Sequence, residues 1–154
     1  MTRGAAPRVE VSGSVPHLPQ RAIAEFVAAV LRAAHAAGAQ REAIGSASIA
    51  FVDDAAMKVL NRRFRRKNST TDVLTFPADE TYADPDRPRR PLGDIVISLE
   101  QARRQARAER HSLATEVRYL ILHGVLHALG FDHETDDGEM NALELRVRAK
   151  VGLQ

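Results

Sequence analysis

Two short apolar stretches decide the fold: Asp-Val-Leu-Thr-Phe at residues 72–76 and Asp-Ile-Val-Ile-Ser at residues 94–98. Both are rich in β-branched and apolar side chains, which favours strands. The chain between them, residues 78–91, is rich in Asp, Pro and Arg, which predicts an exposed loop. Because this connection lacks a helix, we expect the two strands to form an antiparallel pair.

The segments around this pair alternate between strand and helix patterns. We predict strands at residues 8–12 and 47–52, and helices at 19–37, after Asp53 or Asp54, at 99–110, from Ser112 to Leu129, and from Asp136 or Asp137 to about Val151. This order indicates an α/β (α+β) fold, a small mixed four-stranded sheet covered by about five helices. No repeat or linker divides the chain, so we expect residues 1–154 to form one layered domain.

The composition limits which groups can bind a metal and whether the chain can span a membrane. The 154 residues include no Cys, so any metal must be held by imidazole, carboxylate or backbone oxygen. No run of about 18 apolar residues could span a membrane, and the N-terminus lacks the apolar core of a signal peptide. We therefore expect a cytoplasmic protein with no membrane partner.

Basic residues occur in three clusters although the net charge is only +2. The clusters are Arg62, Arg63, Arg65, Arg66 and Lys67; Arg87, Arg89 and Arg90; and Arg103, Arg104, Arg107 and Arg110. Such clusters suit a polyanionic partner. Arg-rich solvated helix faces are nevertheless common, so charge alone does not establish nucleic-acid binding.

The segment His-Gly-Val-Leu-His-Ala-Leu-Gly-Phe-Asp-His, residues 123–133, contains three of the six histidines. His123 and His127 are four apart on a predicted helix, so their rings share one face. Gly130 can adopt the left-handed conformation that ends the helix, which would let His133 turn toward the same point. This pattern predicts one zinc ion per chain, held by His123, His127 and His133.

Three imidazole ligands leave a fourth zinc position for water, as in catalytic sites. Asp132, Glu116 and Asp94 are candidates to accept the second N–H of a ligating ring. Asp72 and Asp94 could equally be turn-capping residues at strand starts. The alternative is that these three are ordinary helix histidines. We expect His17, His35 and His111 to be surface or core residues.

The H-x₃-H-x₅-H spacing resembles the ligand set of metzincin proteases, in which a Glu general base follows the first His. That position is Gly124 here. Without the Glu, peptide hydrolysis loses a proton acceptor worth about 10²–10⁴-fold in rate.

The whole segment resembles instead the signature of the YbeY family of bacterial endoribonucleases, H-G-x-L-H-L-x-G-Y/F-D-H, with Ala128 as its one departure. Three further stretches resemble family motifs: Leu-Asn-Arg-Arg-Phe-Arg at 60–65, Thr-Asp-Val-Leu-Thr-Phe-Pro at 71–77, with Thr75 replacing Ser, and Leu-Gly-Asp-Ile-Val-Ile-Ser at 92–98. They cover about residues 50–135 in the expected order.

The resemblance implies a zinc-dependent, single-strand-specific endoribonuclease that matures the 3′ end of 16S rRNA and acts in ribosome quality control. It implies that the three histidines bind the metal and that Arg65 and His123 are needed for activity. Arg62, Arg63, Arg66 and Lys67 would then follow the RNA backbone. The expected partners are 16S rRNA, the ribosome or its small subunit, and with them ribosomal proteins or assembly GTPases.

Two other classes of function stay open on the sequence. One is a non-catalytic ribosome assembly factor with a structural zinc, and the other is a metal-dependent hydrolase of a different substrate. For a ribonuclease, the attacking group is either water or the 2′-OH of the RNA, and the sequence does not distinguish them.

Overall fold

The computed structural model describes residues 6–38, 44–65, 71–78, 89–131 and 138–153. Within these ranges the chain forms four strands and five helices in the predicted order. The strands are β1 (Arg8–Ser12), β2 (Ile44–Val52), β3 (Val73–Pro77) and β4 (Arg90–Ser98). The helices are α1 (Gln20–Ala36), α2 (Asp54–Arg65), α3 (Leu99–Glu109), α4 (Leu113–Ala128) and α5 (Glu139–Val151).

The four strands form one mixed sheet in the order β1-β2-β4-β3. Strands β1 and β2 pair in parallel, as do β2 and β4. Strand β3 pairs with β4 in the antiparallel direction, with Leu74 opposite Val96. The predicted α+β class, with a mixed sheet and one antiparallel pair, is therefore confirmed.

Strand β4 is longer than predicted. It begins at Arg90 rather than at residue 94, so the last two residues of the predicted loop 78–91 belong to the sheet; residues 79–88 lie outside the described part of the chain. The sequence did not predict this extension because Pro91 has no N–H to donate to a neighbouring strand. The pairing of β4 with β2 is irregular in register at this end, where Pro91 lies opposite Ser46. Strand β2 likewise begins three residues before the predicted start at residue 47.

The two faces of the sheet support separate apolar clusters. Ile95 and Ile97 belong to the main core, together with buried side chains of α1, α4 and α5. Successive residues of a strand point to opposite faces. Val96 accordingly contributes to a smaller cluster on the other face, with Met57 of α2 and Leu74 of β3. Helix α2 and helix α4 therefore cover opposite faces of the sheet.

Side-chain caps begin α2 and α4 as predicted, whereas α1 and α5 begin without one. Asp53 accepts a hydrogen bond from the backbone N–H of Ala56 at 2.8 Å, at the start of α2. Ser112 accepts one from Thr115 at 3.1 Å, at the start of α4. Such caps satisfy backbone donors that the first helical turn leaves without partners. Helix α5 begins at Glu139 after Gly138, later than the predicted start at Asp136 or Asp137, two residues that lie outside the described ranges.

The longest helix in the described ranges, α1, has 17 residues. No helix of this part of the chain combines the length and apolar character that crossing a bilayer requires.

Helix α4 approaches the sheet very closely at Gly124. A Cβ atom at this position would lie 2.8 Å from Cγ2 of Ile95, closer than side-chain atoms pack. Ile95 is fully buried and β-branched, so its side chain has little freedom to move aside. The absence of a side chain at Gly124 therefore sets the distance between α4 and β4.

Replacing Gly124 with Ala should lower the free energy of unfolding by about 1 kcal/mol, measured by urea denaturation. Overpacking costs about 1–3 kcal/mol, and the better helix propensity of Ala offsets about 1 kcal/mol of it.

The control is the same replacement in an Ile95→Ala background, which removes Cγ2. There Gly124→Ala should stabilise the protein, because only the propensity effect is left. Stabilisation in both backgrounds would show that the Gly124–Ile95 contact does not limit packing.

Candidate metal centre

His123 and His127 lie in the last part of α4, one turn apart, as the spacing predicts. Their ring centroids are 5.3 Å apart and the ring planes are tilted by 47°. Both residues are partly exposed, whereas their neighbours Leu122, Gly124 and Leu126 are buried. Because the opposite face of α4 packs into the core, the two imidazoles lie side by side at the edge of the core.

A buried carboxylate from α5 contacts the first histidine. Oε1 of Glu144 lies 2.7 Å from Nδ1 of His123, and the Glu144 side chain is only 7% exposed. Its second oxygen lies 3.0 Å from Nη2 of Arg148, one turn further along α5. The guanidinium of Arg148 in turn stacks over the ring of Tyr119, 4.9 Å from its centroid.

Glu116 and Asp94 were predicted to accept the second N–H of a ligating histidine. Neither of them makes this contact. Glu116 instead contacts Nε2 of His111 at 2.6 Å, near the start of α4. Asp94 precedes Ile95, whose side chain faces α4, so Asp94 points to the opposite face of the sheet. There it borders a groove together with Glu10, Ser48 and Phe76.

Asp72 has a structural contact of its own. Its carboxylate accepts a hydrogen bond from Gln105 of α3 at 3.1 Å, and its backbone oxygen accepts from Ser98 at 2.9 Å. These bonds connect the start of β3 to the end of β4 and to α3. Neither bond caps a turn or involves the histidine pair.

Several predicted site residues fall outside the described ranges: His133, Asp132, Arg66 and Lys67. Across residues 6–38, 44–65, 71–78, 89–131 and 138–153, no three metal-ligating side chains come together. The described part of the predicted ligand set is therefore the pair His123 and His127, and the place of His133 stays a prediction.

The predicted RNA-contacting arginines lie at the end of α2. Arg62, Arg63 and Arg65 are all exposed in its last turn. Phe64, also exposed, packs edge-on against Phe76 of β3, with centroids 5.2 Å apart. Helix α4 contacts β3 from the other side of the sheet. The edge strand β3 therefore lies between the basic end of α2 and the helix that bears the histidines.

The donors on α4 suit a transition metal. Neutral imidazole is a ligand that zinc prefers, and a ligating histidine usually donates its other N–H to a carboxylate. Glu144 lies against Nδ1 of His123, where such a carboxylate could support a ligating ring. These residues therefore fit a zinc ion bound through imidazole.

Sequence reasoning missed Glu144 and Arg148, although a signal was present. Met140, Leu143, Val147 and Val151 recur at helical spacing and form the apolar stripe of α5, and Glu144 lies within that stripe. A carboxylate in a buried stripe needs a partner. Which partner it finds depends on the packing of α5 against α4.

Comparison with known proteins identifies the family. The profile described as Endoribonuclease YbeY matches residues 9–152. Proteins named Endoribonuclease YbeY include one from Nautilia profundicola, 48% identical over 101 residues, which are 66% of this chain and 68% of that protein. A second, from Solibacter usitatus, is 51% identical over 100 residues, 65% of this chain and 62% of its own length. A third, from Moorella thermoacetica, is 43% identical over 140 residues, covering 84% and 89% of the two chains.

The fold has a counterpart among solved structures. The solution structure of TM1509 from Thermotoga maritima superposes with a TM-score of 0.57, covering 93% of this chain and 88% of that one. At 23% identity this likeness concerns the fold alone. The profile match over almost the whole chain, together with relatives at 43–51% identity, shows that this protein belongs to the YbeY family of endoribonucleases, nucleases that hydrolyse RNA.

Proposed function

We propose that the protein is a zinc-dependent, single-strand-specific endoribonuclease that matures the 3′ end of 16S rRNA and acts in ribosome quality control in the cytoplasm. One zinc ion would be held by His123, His127 and His133. The observation that supports the site best is the pair of imidazoles on α4, one of which contacts the buried carboxylate of Glu144. We further propose that residues 1–154 act as one domain.

The chain contributes two kinds of group to such a reaction. The histidines hold the metal, which when bound supplies a Lewis acid for the phosphodiester and lowers the pKa of a coordinated water. Arg65 contributes a planar, permanently charged fork that can bind two phosphate oxygens at once. Phosphodiester cleavage depends mainly on stabilising charge at the phosphoryl oxygens, which is the role we assign to Arg65.

Substrate binding would use the exposed basic end of α2. Arg62 and Arg63 flank Arg65 in this turn, and we propose that Arg66 and Lys67 extend the same basic run along the RNA backbone. Because β3 separates this turn from α4, the RNA would cross the edge of the sheet. The small subunit of the ribosome, with its ribosomal proteins or assembly GTPases, would present the RNA.

Replacing His127 with Ala should remove both zinc and cleavage, since two imidazoles are then too few to hold the ion. Elemental analysis of the purified protein should find about one zinc per chain in the wild type. His35→Ala, on the exposed side of α1, is the control and should retain both properties.

Zinc lost from His127→Ala while cleavage persists would contradict a catalytic metal. A wild-type protein that holds zinc but cleaves no RNA would favour the assembly-factor alternative instead.

Replacing Arg65 with Ala should lower kcat/KM for a single-stranded RNA by about 10- to 100-fold, with zinc content unchanged. This range corresponds to losing one hydrogen-bonded charge, about 1.5–3 kcal/mol. Arg103→Ala removes an equal charge from an exposed position on α3 and should have little effect. Equal losses of kcat/KM in the two variants would show that Arg65 acts only by general electrostatic attraction of the RNA.

Hybridising a complementary oligonucleotide to a 16S rRNA fragment with an extended 3′ end should protect it from cleavage. A single strand can bend and expose its phosphates at a narrow protein edge, whereas a duplex is stiff. Cleavage products are separated by gel electrophoresis, with the unhybridised fragment as the control. Equal cleavage of the two forms would contradict single-strand specificity.

A further inference from the structure

One aromatic side chain at the basic end of α2 lies outside both apolar clusters. Phe64 is in the last turn of this helix and is 57% exposed. Among the aromatic side chains that the structure describes, it alone is mostly exposed to solvent. Helical spacing places it on the same side of α2 as Met57 and Leu60, which pack on the sheet. The apolar side of α2 therefore ends in an exposed aromatic ring.

A second aromatic residue holds this ring in place. Phe76 of the edge strand β3 contacts Phe64 with the ring centroids 5.2 Å apart and the planes at 77°, an edge-to-face arrangement. This contact orients the ring of Phe64 while more than half of the residue stays open to solvent. The ring is thus positioned before any ligand binds, which lowers the entropic cost of binding a ligand on it.

The surroundings of the ring are cationic. Arg62, Arg63 and Arg65 are exposed in the same turn of α2. The guanidinium of Arg63 lies 5.7 Å from the centroid of the Phe64 ring, near the limit of about 6 Å for a cation–π contact. Such an exposed contact is weak, so a flat ligand can displace the guanidinium from the ring. The displaced guanidinium is then available to a phosphate.

We propose that Phe64 stacks on one unpaired nucleobase of the RNA substrate, while the arginines beside it bind the phosphates next to that base. Proteins that bind single strands combine these two elements, an aromatic face and neighbouring cations. A base within a duplex has both faces covered by its neighbours, so only an unstacked base can reach the ring. The proposal rests on the proposed function for the single-stranded state of the RNA, and it names a residue that recognises that state.

A protein partner would suit this surface less well than RNA. Protein interaction sites are marked by contiguous apolar patches, whereas Phe64 is accompanied by exposed arginines. The other large apolar side chains that are exposed in the described ranges are Val59 and Leu145. Leu145 is on α5, and Val59, five residues before Phe64, is turned by about 140° around the axis of α2. Phosphates complement the charge of this turn, and a base complements its ring.

The binding test compares two ligands of equal length and charge. One is oligouridine, and the other is an oligomer of abasic tetrahydrofuran nucleotides, which has phosphates but no bases. Fluorescence anisotropy of the labelled oligomers gives both dissociation constants, read while a gel shows the oligouridine to be intact. Phe64→Leu keeps an apolar side chain without an aromatic face. It should weaken oligouridine binding by at least about 5-fold and leave binding of the abasic oligomer unchanged.

Two further variants show whether the aromatic face is responsible. Phe64→Tyr retains it and should bind oligouridine like the wild type. Val59→Ala is the matched control, because it shortens another half-exposed apolar side chain of α2 and should change neither dissociation constant. Equal weakening of the two ligands in Phe64→Leu would overturn the proposal, since it would indicate a disturbed helix end. Unchanged binding of both ligands, with binding to the small ribosomal subunit lost, would overturn it in favour of a protein contact.

A direct reporter of stacking is available because the chain contains no Trp. In Phe64→Trp the single indole replaces the proposed stacking ring, and stacking on a base quenches indole fluorescence. We expect oligouridine to quench Phe64→Trp more strongly than the abasic oligomer does. In Val59→Trp the two oligomers should have equal effects. Equal quenching of Phe64→Trp by the two oligomers would overturn the proposal.

These measurements follow binding rather than cleavage, which separates this proposal from the proposed function. Base-dependent quenching of Phe64→Trp in a protein that holds no zinc would support stacking and count against the zinc-dependent function alone. A Phe64→Leu protein that holds one zinc ion and both binds and cleaves single-stranded RNA like the wild type would overturn stacking. That result would leave the proposed nuclease function intact.

Discussion

The contact between Gly124 of α4 and Ile95 of β4 constrains the rest of the structure. Helix α4 is buried along one side, and the missing side chain at Gly124 lets its backbone approach the sheet more closely than any other residue type would permit. Since His123 precedes this glycine and His127 follows it by three residues, the depth of the helix also fixes both imidazoles. Packing and candidate chemistry therefore depend on the same turn of helix.

The same contact explains why this site differs from that of a metzincin protease despite the shared histidine spacing. The protease general base would have to occupy position 124, where even a Cβ atom lies too close to Ile95. The carboxylate at this site comes from another helix and contacts a ring nitrogen instead. Glu144 on α5 lies against the imidazole itself, whereas the protease base would follow the histidine along the helix.

The sheet organises the surface around the histidines. Its antiparallel edge strand β3 separates the exposed arginines of α2 from helix α4, so the two groups lie on opposite faces yet border the same edge. An edge strand is narrow, which suits a flexible single strand better than a stiff duplex. The groove that contains Asp94 lies on the α2 face, and its lining balances Glu10 and Asp94 against Arg8 and Arg89.

The amino-acid sequence by itself determined the element order, the mixed sheet, the helix caps at Asp53 and Ser112, and the pairing of His123 with His127. Each of these depends on local periodicity or on spacing along one helix, which the chain carries directly. The tertiary structure alone decided the extension of β4 through Pro91, because strand pairing with β2 overrides the local preference for a loop. It also decided that Glu144, and not Glu116 or Asp94, meets His123. That choice depends on how α5 packs against α4, and no spacing within either helix specifies the contact between them.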